Sequence, residues 1–154
     1  MTAFNFEQAR FNMIEQQIRP WEVLDQRVLD TIACVPREDF VPERYRNLAF
    51  GDVAIPIGHG EFMLKPNVEG RLLQALAVRP TDRVLEVGTG SGYLTACLAR
   101  LAGSVVSVDI VPDFIEVARQ KLKALRSSNA VLHAGDASRG WGEHRYDAIA
   151  VTGS

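Results

Sequence analysis

Arg83-Val84-Leu85-Glu86-Val87-Gly88-Thr89-Gly90-Ser91-Gly92-Tyr93 joins an apolar run to three glycines at alternate positions. The run reads as a buried strand, and the glycines as a loop where the backbone takes positive φ and lets a ligand come close. Tyr93-Leu94-Thr95-Ala96-Cys97-Leu98-Ala99 then reads as a helix whose N-terminus faces that loop. A dinucleotide fingerprint of the G-x-G-x-x-G type wants glycine at position 93, where this chain has Tyr93, so the pattern leans away from NAD. One helix later, Ser104-Val105-Val106-Ser107-Val108-Asp109 reads as a second strand ending in an acid. In a βαβ unit that acid stands beside the glycine loop, where a carboxylate can accept two hydrogen bonds from a ribose diol. The plainer alternative is a tight glycine turn with Asp109 capping the next helix.

Working outward, residues 112–125 read as a crossover helix with a proline near its first turn, and 130–134 and 146–152 as further strands. Strand, helix, strand, helix, strand, loop, strand predicts an α/β fold, a Rossmann-like doubly wound parallel sheet ordered 3-2-1-4 in the part present. A doubly wound sheet continues past its fourth strand, so the C-terminal strands are expected to be missing after Val151-Thr152-Gly153-Ser154. The fourth strand then forms an apolar edge that invites pairing with a second copy, a homo-oligomer. Upstream, 67–77 has helical periodicity through Val68, Leu72, Leu73 and Leu76, and Arg79-Pro80-Thr81-Asp82 turns into the first strand. Residues 4–19 predict a helix with Phe4, Phe11, Ile14 and Ile18 on one side, stopped at Arg19-Pro20, and 25–33 a second. Prolines and glycines from Pro36 to Gly60 mark a long irregular connection. The expected organisation is an N-terminal helical and loop cap over 1–66 and a cofactor-binding domain over 67–154.

The 154 residues are 47% hydrophobic and 23% charged, with a formal net charge of -2. No basic field of the kind that attracts a phosphate backbone is present, and the one positive run, 119–126, lies on a helix carrying Glu116, so no nucleic-acid partner is expected. The N-terminus has no basic and apolar export pattern and no stretch reaches membrane-spanning length, which predicts a cytoplasmic protein with no membrane partner. Cys34 and Cys97 lack C-x-x-C spacing and read as small core residues. His59, His133 and His144 have no metal-ligand spacing to a carboxylate or cysteine, so no metal is implied. Trp141 reads as packing the loop before the fourth strand, with contact to a bound adenine as the alternative.

Taken together, 85–93, Asp109, Gly135-Asp136 and Tyr146-Asp147-Ala148-Ile149-Ala150-Val151-Thr152 resemble S-adenosylmethionine-dependent methyltransferases of the Rossmann-like class. Val35-Pro36-Arg37-Glu38-Asp39-Phe40-Val41-Pro42, Asp52-Val53-Ala54-Ile55-Pro56-Ile57-Gly58 and Gly140-Trp141 narrow the resemblance to the protein-L-isoaspartate O-methyltransferase family. The resemblance implies that Glu86, Gly88, Thr89, Gly90 and Gly92 surround the methionine part of the cofactor, that Asp109 holds the ribose, and that Asp136 and Ala137 meet the adenine. It further implies a protein or peptide carboxylate as methyl acceptor. The chain departs from the family at 60–66: Phe62, Met63 and Leu64 stand opposite a Thr-Ile-Ser motif, and Leu64 occupies the position of the serine that positions the acceptor. His59, Glu61 and Lys65 are the polar groups that remain in that loop, and Lys65 is a candidate for neutralising an acceptor carboxylate.

Three further readings stay open from sequence. A Phe-Met-Leu loop also suits a more apolar small-molecule acceptor; the fold also serves as a cofactor-binding module without turnover; and an NAD-dependent oxidoreductase is the most distant alternative.

Overall fold

In the computed structural model, which describes residues 3–153, contacts divide the chain into two units, one ending at Ala75 and the other starting at Leu76. The first unit opens with α1 (Phe6–Met13), where the Asn5 side chain accepts from the Gln8 N–H at 3.0 Å and satisfies one orphan donor of the first turn. The helix widens into a π turn, Ile14–Ile18, then tightens into a 3-10 turn, Arg19–Trp21, and Glu22 leaves in the left-handed region. In a π turn residues about five apart share a face, which puts Met13 and Ile18 on the buried side with Ile14. Phe4 and Phe11, expected on that side from a regular helical period, are instead 46% and 59% exposed.

Asp25 starts α2 (Gln26–Cys34) by accepting from the N–H groups of Arg27 and Val28. Val28, Leu29 and Ile32 form its buried stripe. Cys34 lies about 200° around the helix from Ile32 and is exposed, so the expected core role holds for Cys97 and fails for Cys34. The connection expected to be irregular contains 3-10 turns at Arg37–Asp39 and Glu43–Leu48 and begins an antiparallel hairpin of β1 (Ile55–Gly58) and β2 (Glu61–Met63). His59 and Gly60 both have positive φ, the turn form whose twist matches that of the flanking strands. Pro66 then opens α3 (Pro66–Leu76) at a position whose N–H would be unbonded in any residue. The buried residues of α3 are Pro66, Asn67, Glu69, Gly70 and Leu73, and a Cβ on Gly70 would come within 3.1 Å of Ile18 and 3.3 Å of Val23.

The second unit runs β3 (Arg83–Val87), α4 (Tyr93–Leu101), β4 (Ser104–Asp109), α5 (Pro112–Ala124), β5 (Ala130–Ala134) and β6 (Ala148–Val151). All three ladders are parallel and the order is β5-β4-β3-β6, the 3-2-1-4 arrangement expected from the alternation. Helix α4 is buried at every position but Arg100, so it forms the core of this unit; a fully buried leucine such as Leu98 contributes about 1.5–3 kcal/mol by leaving water. β6 is shorter than the expected 146–152, although the N–H groups of Asp147 and Thr152 on its flanks still donate to the Arg83 and Val87 carbonyls of β3. Asp147 accepts from the Arg83 N–H at 2.8 Å, and the Thr152 hydroxyl donates to the Gly88 carbonyl at 3.0 Å. Register aligns Val131, Val106, Leu85 and Ile149 in one row across the sheet. Leu85 is buried, whereas Val131 and Ile149 at the row's ends are exposed.

Candidate functional site

The glycine loop is shaped by what crowds it. Gly88, Gly90 and Gly92 all have positive φ, the region that costs a side-chain-bearing residue most. A Cβ on Gly88 would also overlap the backbone of Gly153, because the chain leaving β6 passes directly against the loop. The Gly88 N–H donates to the Val108 carbonyl at 2.8 Å, so loop and β4 are held together at the C-terminal edge of the sheet.

Asp109 stands at that edge, 9% exposed. Its Oδ2 accepts from the Gly90 N–H at 2.9 Å and its Oδ1 from the Val111 N–H at 2.9 Å. One carboxylate therefore ties the glycine loop to the start of α5, which joins both sequence alternatives: Asp109 supports the next helix and also faces the loop. A carboxylate oxygen has two acceptor sites, so each can still take one hydroxyl donor. The Gly135 N–H donates to the Asp109 carbonyl at 2.9 Å, which brings the end of β5 and the following Asp136 to the same edge. Asp136 is exposed, and the Ser138 N–H donating to it at 2.8 Å holds its carboxyl below the usual aspartate range. Ala137 is half-buried, and its carbonyl accepts from Gly140.

Beneath the loop lies a polar group of side chains. Glu86 is fully buried, and its Oε1 accepts from the Thr95 hydroxyl and, at 2.6 Å, from the Ser107 hydroxyl. Ser107 also lies 2.6 Å from the buried Thr89 hydroxyl. A buried carboxylate costs several kcal/mol unless hydrogen-bonded, so this network fixes the strand end that launches the loop. Thr95 and Ser107 were not picked out by sequence reasoning. Their signal was a hydroxyl at an inward position of an apolar strand and another on the buried side of α4.

Trp141 lies against the end of β5 and the glycine that precedes Asp136, a place compatible with both readings. A Cβ on Gly135 would lie 2.8 Å from its ring, and the His133 ring is 5.5 Å away, centroid to centroid.

Unlike these, His59, Glu61, Leu64 and Lys65 belong to the first unit. His59 is in the hairpin turn, Glu61 and Lys65 are exposed, and Leu64 is half-buried. Lys65 Nζ is 3.8 Å from Asp52 Oδ1, an exposed pair of the kind that contributes little. What organises this segment is Arg37, which sequence reasoning used only as part of a motif. Its guanidinium donates to the Ala49 carbonyl at 2.6 Å, the Leu64 carbonyl at 2.8 Å and Glu69 Oε1 at 2.7 Å. Burial pushes the Glu69 carboxyl up from 4.5 to about 7, against the lowering effect of Arg37. Among the described residues no group of His, Cys, Asp and Glu could hold a metal ion, and no helix is long and apolar enough to cross a membrane.

A family model for protein-L-isoaspartate(D-aspartate) O-methyltransferase matches residues 8–154. The chain is similar to protein-L-isoaspartate O-methyltransferase 1 of Rhodopseudomonas palustris (strain HaA2), 41% identical over 97% of this chain and 61% of that protein. It is also similar to protein-L-isoaspartate O-methyltransferase 2 of Anaeromyxobacter sp. (strain Fw109-5), 42% identical over 95% of this chain and 60% of that protein. The chain thus spans about three fifths of the length of these curated relatives. Among solved structures it is similar in fold to a Plasmodium falciparum beta-aspartate methyltransferase in complex with S-adenosyl-L-homocysteine. That match has a TM-score of 0.76 at 22% identity, covering 97% of this chain and 73% of that one. The glycine loop, the acid closing β4 and the 35–42 motif thus sit in a chain matched almost from end to end, and it belongs to the protein-L-isoaspartate(D-aspartate) O-methyltransferase family.

Proposed function

We propose that the chain binds S-adenosylmethionine through residues 67–154 and carries the methyl-transfer core of a cytoplasmic protein-L-isoaspartate O-methyltransferase, with isoaspartyl carboxylates of damaged proteins as acceptors. The observation that carries this reading is Asp109: a largely buried carboxylate, braced by two backbone donors, with acceptor capacity left for a ribose diol beside a glycine loop. Gly88, Thr89, Gly90 and Gly92, backed by Glu86, are assigned to the methionine portion, and Asp136 and Ala137 to the adenine. The cofactor, when bound, supplies an electrophilic methyl group on a sulfonium sulfur. Everything asked of this chain is binding and orientation. An ionised acceptor carboxylate is already a nucleophile, so holding it in line supplies most of the acceleration and no strong base is needed. The loop 59–65 is assigned to the acceptor, with Lys65 available to balance its charge.

The test is methyl transfer from S-adenosylmethionine to a peptide containing one isoaspartyl residue, against its ordinary aspartyl counterpart. Transfer to the isoaspartyl peptide alone supports the reading. A folded chain that binds S-adenosylhomocysteine but methylates neither peptide removes the proposed acceptor.

A second reading keeps the cofactor and changes the acceptor to an apolar one. It is favoured by Phe62, 58% exposed on β2, and by Leu64 where the resemblance expects a serine hydroxyl. A hydrogen bond to a charged group contributes about 1.5–3 kcal/mol, so under the first reading Leu64→Ser raises transfer to the isoaspartyl peptide about 10- to 100-fold. No gain favours the apolar acceptor.

A further inference from the structure

We infer that Arg37 is a positioning residue for the methyl acceptor: its buried guanidinium holds the backbone of the 61–65 segment in the form the acceptor meets. This rests on the assignment of that segment to the acceptor. Arg37 is 1% exposed and sits far in sequence from what it binds, with Ala49 12 residues away, Leu64 27 and Glu69 32. The three acceptors lie on separate elements: Ala49 follows the Glu43–Leu48 turn, Leu64 follows β2, and Glu69 is in the first turn of α3. Leu64 lies between the end of the hairpin and Pro66, so its carbonyl ties the chain leaving the hairpin to Arg37, in addition to the burial of Ile55 and Met63. Beyond that carbonyl, the Glu69 N–H donates to the Lys65 carbonyl at 3.1 Å. Two consecutive carbonyls, Leu64 and Lys65, are therefore set by Arg37 and by the helix that carries its carboxylate partner. A planar fork with fixed donor directions can serve three acceptors at once, which a lysine ammonium on a flexible stem cannot reproduce.

The arrangement also gives the buried, ionisable Arg37–Glu69 pair a role. Replacing such a pair by apolar residues is often neutral or stabilising, so burial alone gives no reason to keep it. Holding a loop in one register is such a reason.

The experiment uses the whole chain and the variant Arg37→Lys. It reads three quantities: S-adenosylhomocysteine affinity, KM and kcat for an isoaspartyl peptide, and amide hydrogen exchange by residue. The expected result is affinity within twofold of wild type, KM for the peptide raised about tenfold with kcat within about threefold, and exchange accelerated about tenfold across 61–65 but not in α2. Exchange that rises equally throughout the first unit marks a general loosening and overturns the inference, as does an unchanged KM. If Arg37→Lys does not fold, Glu69→Gln serves instead. It leaves Arg37 an acceptor but a neutral one, and is expected to give the same selective exchange at about threefold; no selective change overturns the inference. A wild-type chain that binds S-adenosylhomocysteine but methylates no isoaspartyl peptide defeats the proposed acceptor and with it the acceptor role of Arg37. The exchange data then still decide whether Arg37 holds the segment.

Discussion

Asp109→Ala removes the one side chain that bonds the glycine loop, the start of α5 and, on the proposed reading, the ribose. Two backbone N–H groups lose a charged acceptor, those of Gly90 and Val111, each at 2.9 Å. Bonds of this kind contribute about 1.5–3 kcal/mol each, but both donors are only part-buried and regain water, so the loss of folding stability is expected at about 2–3 kcal/mol in total. Cofactor affinity falls for a separate reason: the ligand loses its ribose acceptors and meets a loop no longer held by Gly90. A combined loss of about 3 kcal/mol corresponds to roughly a hundredfold rise in Kd. Urea unfolding measures the first quantity, and calorimetric titration with S-adenosylhomocysteine below the unfolding midpoint measures the second. Asp109→Asn keeps one oxygen and turns the other side of the group into a donor facing an N–H, so it falls between wild type and Asp109→Ala in both. A folded Asp109→Ala chain whose affinity stays within twofold of wild type refutes the placement of the nucleoside.

Gly88→Ala forces a methyl group into the Gly153 backbone at a φ of 105°, so it is expected to cost more than about 2 kcal/mol in urea unfolding and to abolish titratable S-adenosylhomocysteine binding; near-wild-type behaviour contradicts the loop geometry. Glu69 supplies a pH dependence. Its folded pKa, about 7, lies above its ordinary 4.5, so between these values the folded state holds the extra proton and its stability falls as pH rises. Glu69→Gln is expected to remove that fall, which the two values put at about 3 kcal/mol, and to make unfolding free energy flatter from pH 4.5 to 7; an unchanged slope contradicts the assignment. For β6, the last strand in the order β5-β4-β3-β6 among the described residues, we propose edge-to-edge pairing with a second copy. Sedimentation is expected to show self-association that Val151→Lys abolishes, and a monomer at all concentrations removes the proposal.

The sheet was legible in sequence because its strands are short, β-branched-rich runs set off by turn signals: 83–87, 104–109 and 130–134 were bounded as the structure bounds them. Its order followed from right-handed crossovers between short connections. The hairpin of β1 and β2 was not legible, since strands of four and three residues, one containing Pro56, are too short to show alternation. Phe4 was assigned to the wrong side because it precedes the Asn5 N-cap and lies outside the helix, and Phe11 because the π turn at Ile14–Ile18 interrupts the period on which the assignment rested. The meeting of Asp109 with the glycine loop was legible because their spacing is local to one βαβ unit. The Glu86, Thr95 and Ser107 network and the Arg37 clamp were not, because each joins residues whose meeting depends on strand register or on a fold between distant segments.

Whether Asp109 and the glycine loop form a nucleoside site for a sulfonium cofactor is decided by calorimetric titration of the wild-type chain with S-adenosylhomocysteine, with NAD as the competing ligand. The expected result is saturable binding at one site per chain, in the micromolar range or tighter, that NAD does not displace. A folded chain that gives no saturable heat with S-adenosylhomocysteine, or one that binds NAD equally well, contradicts it.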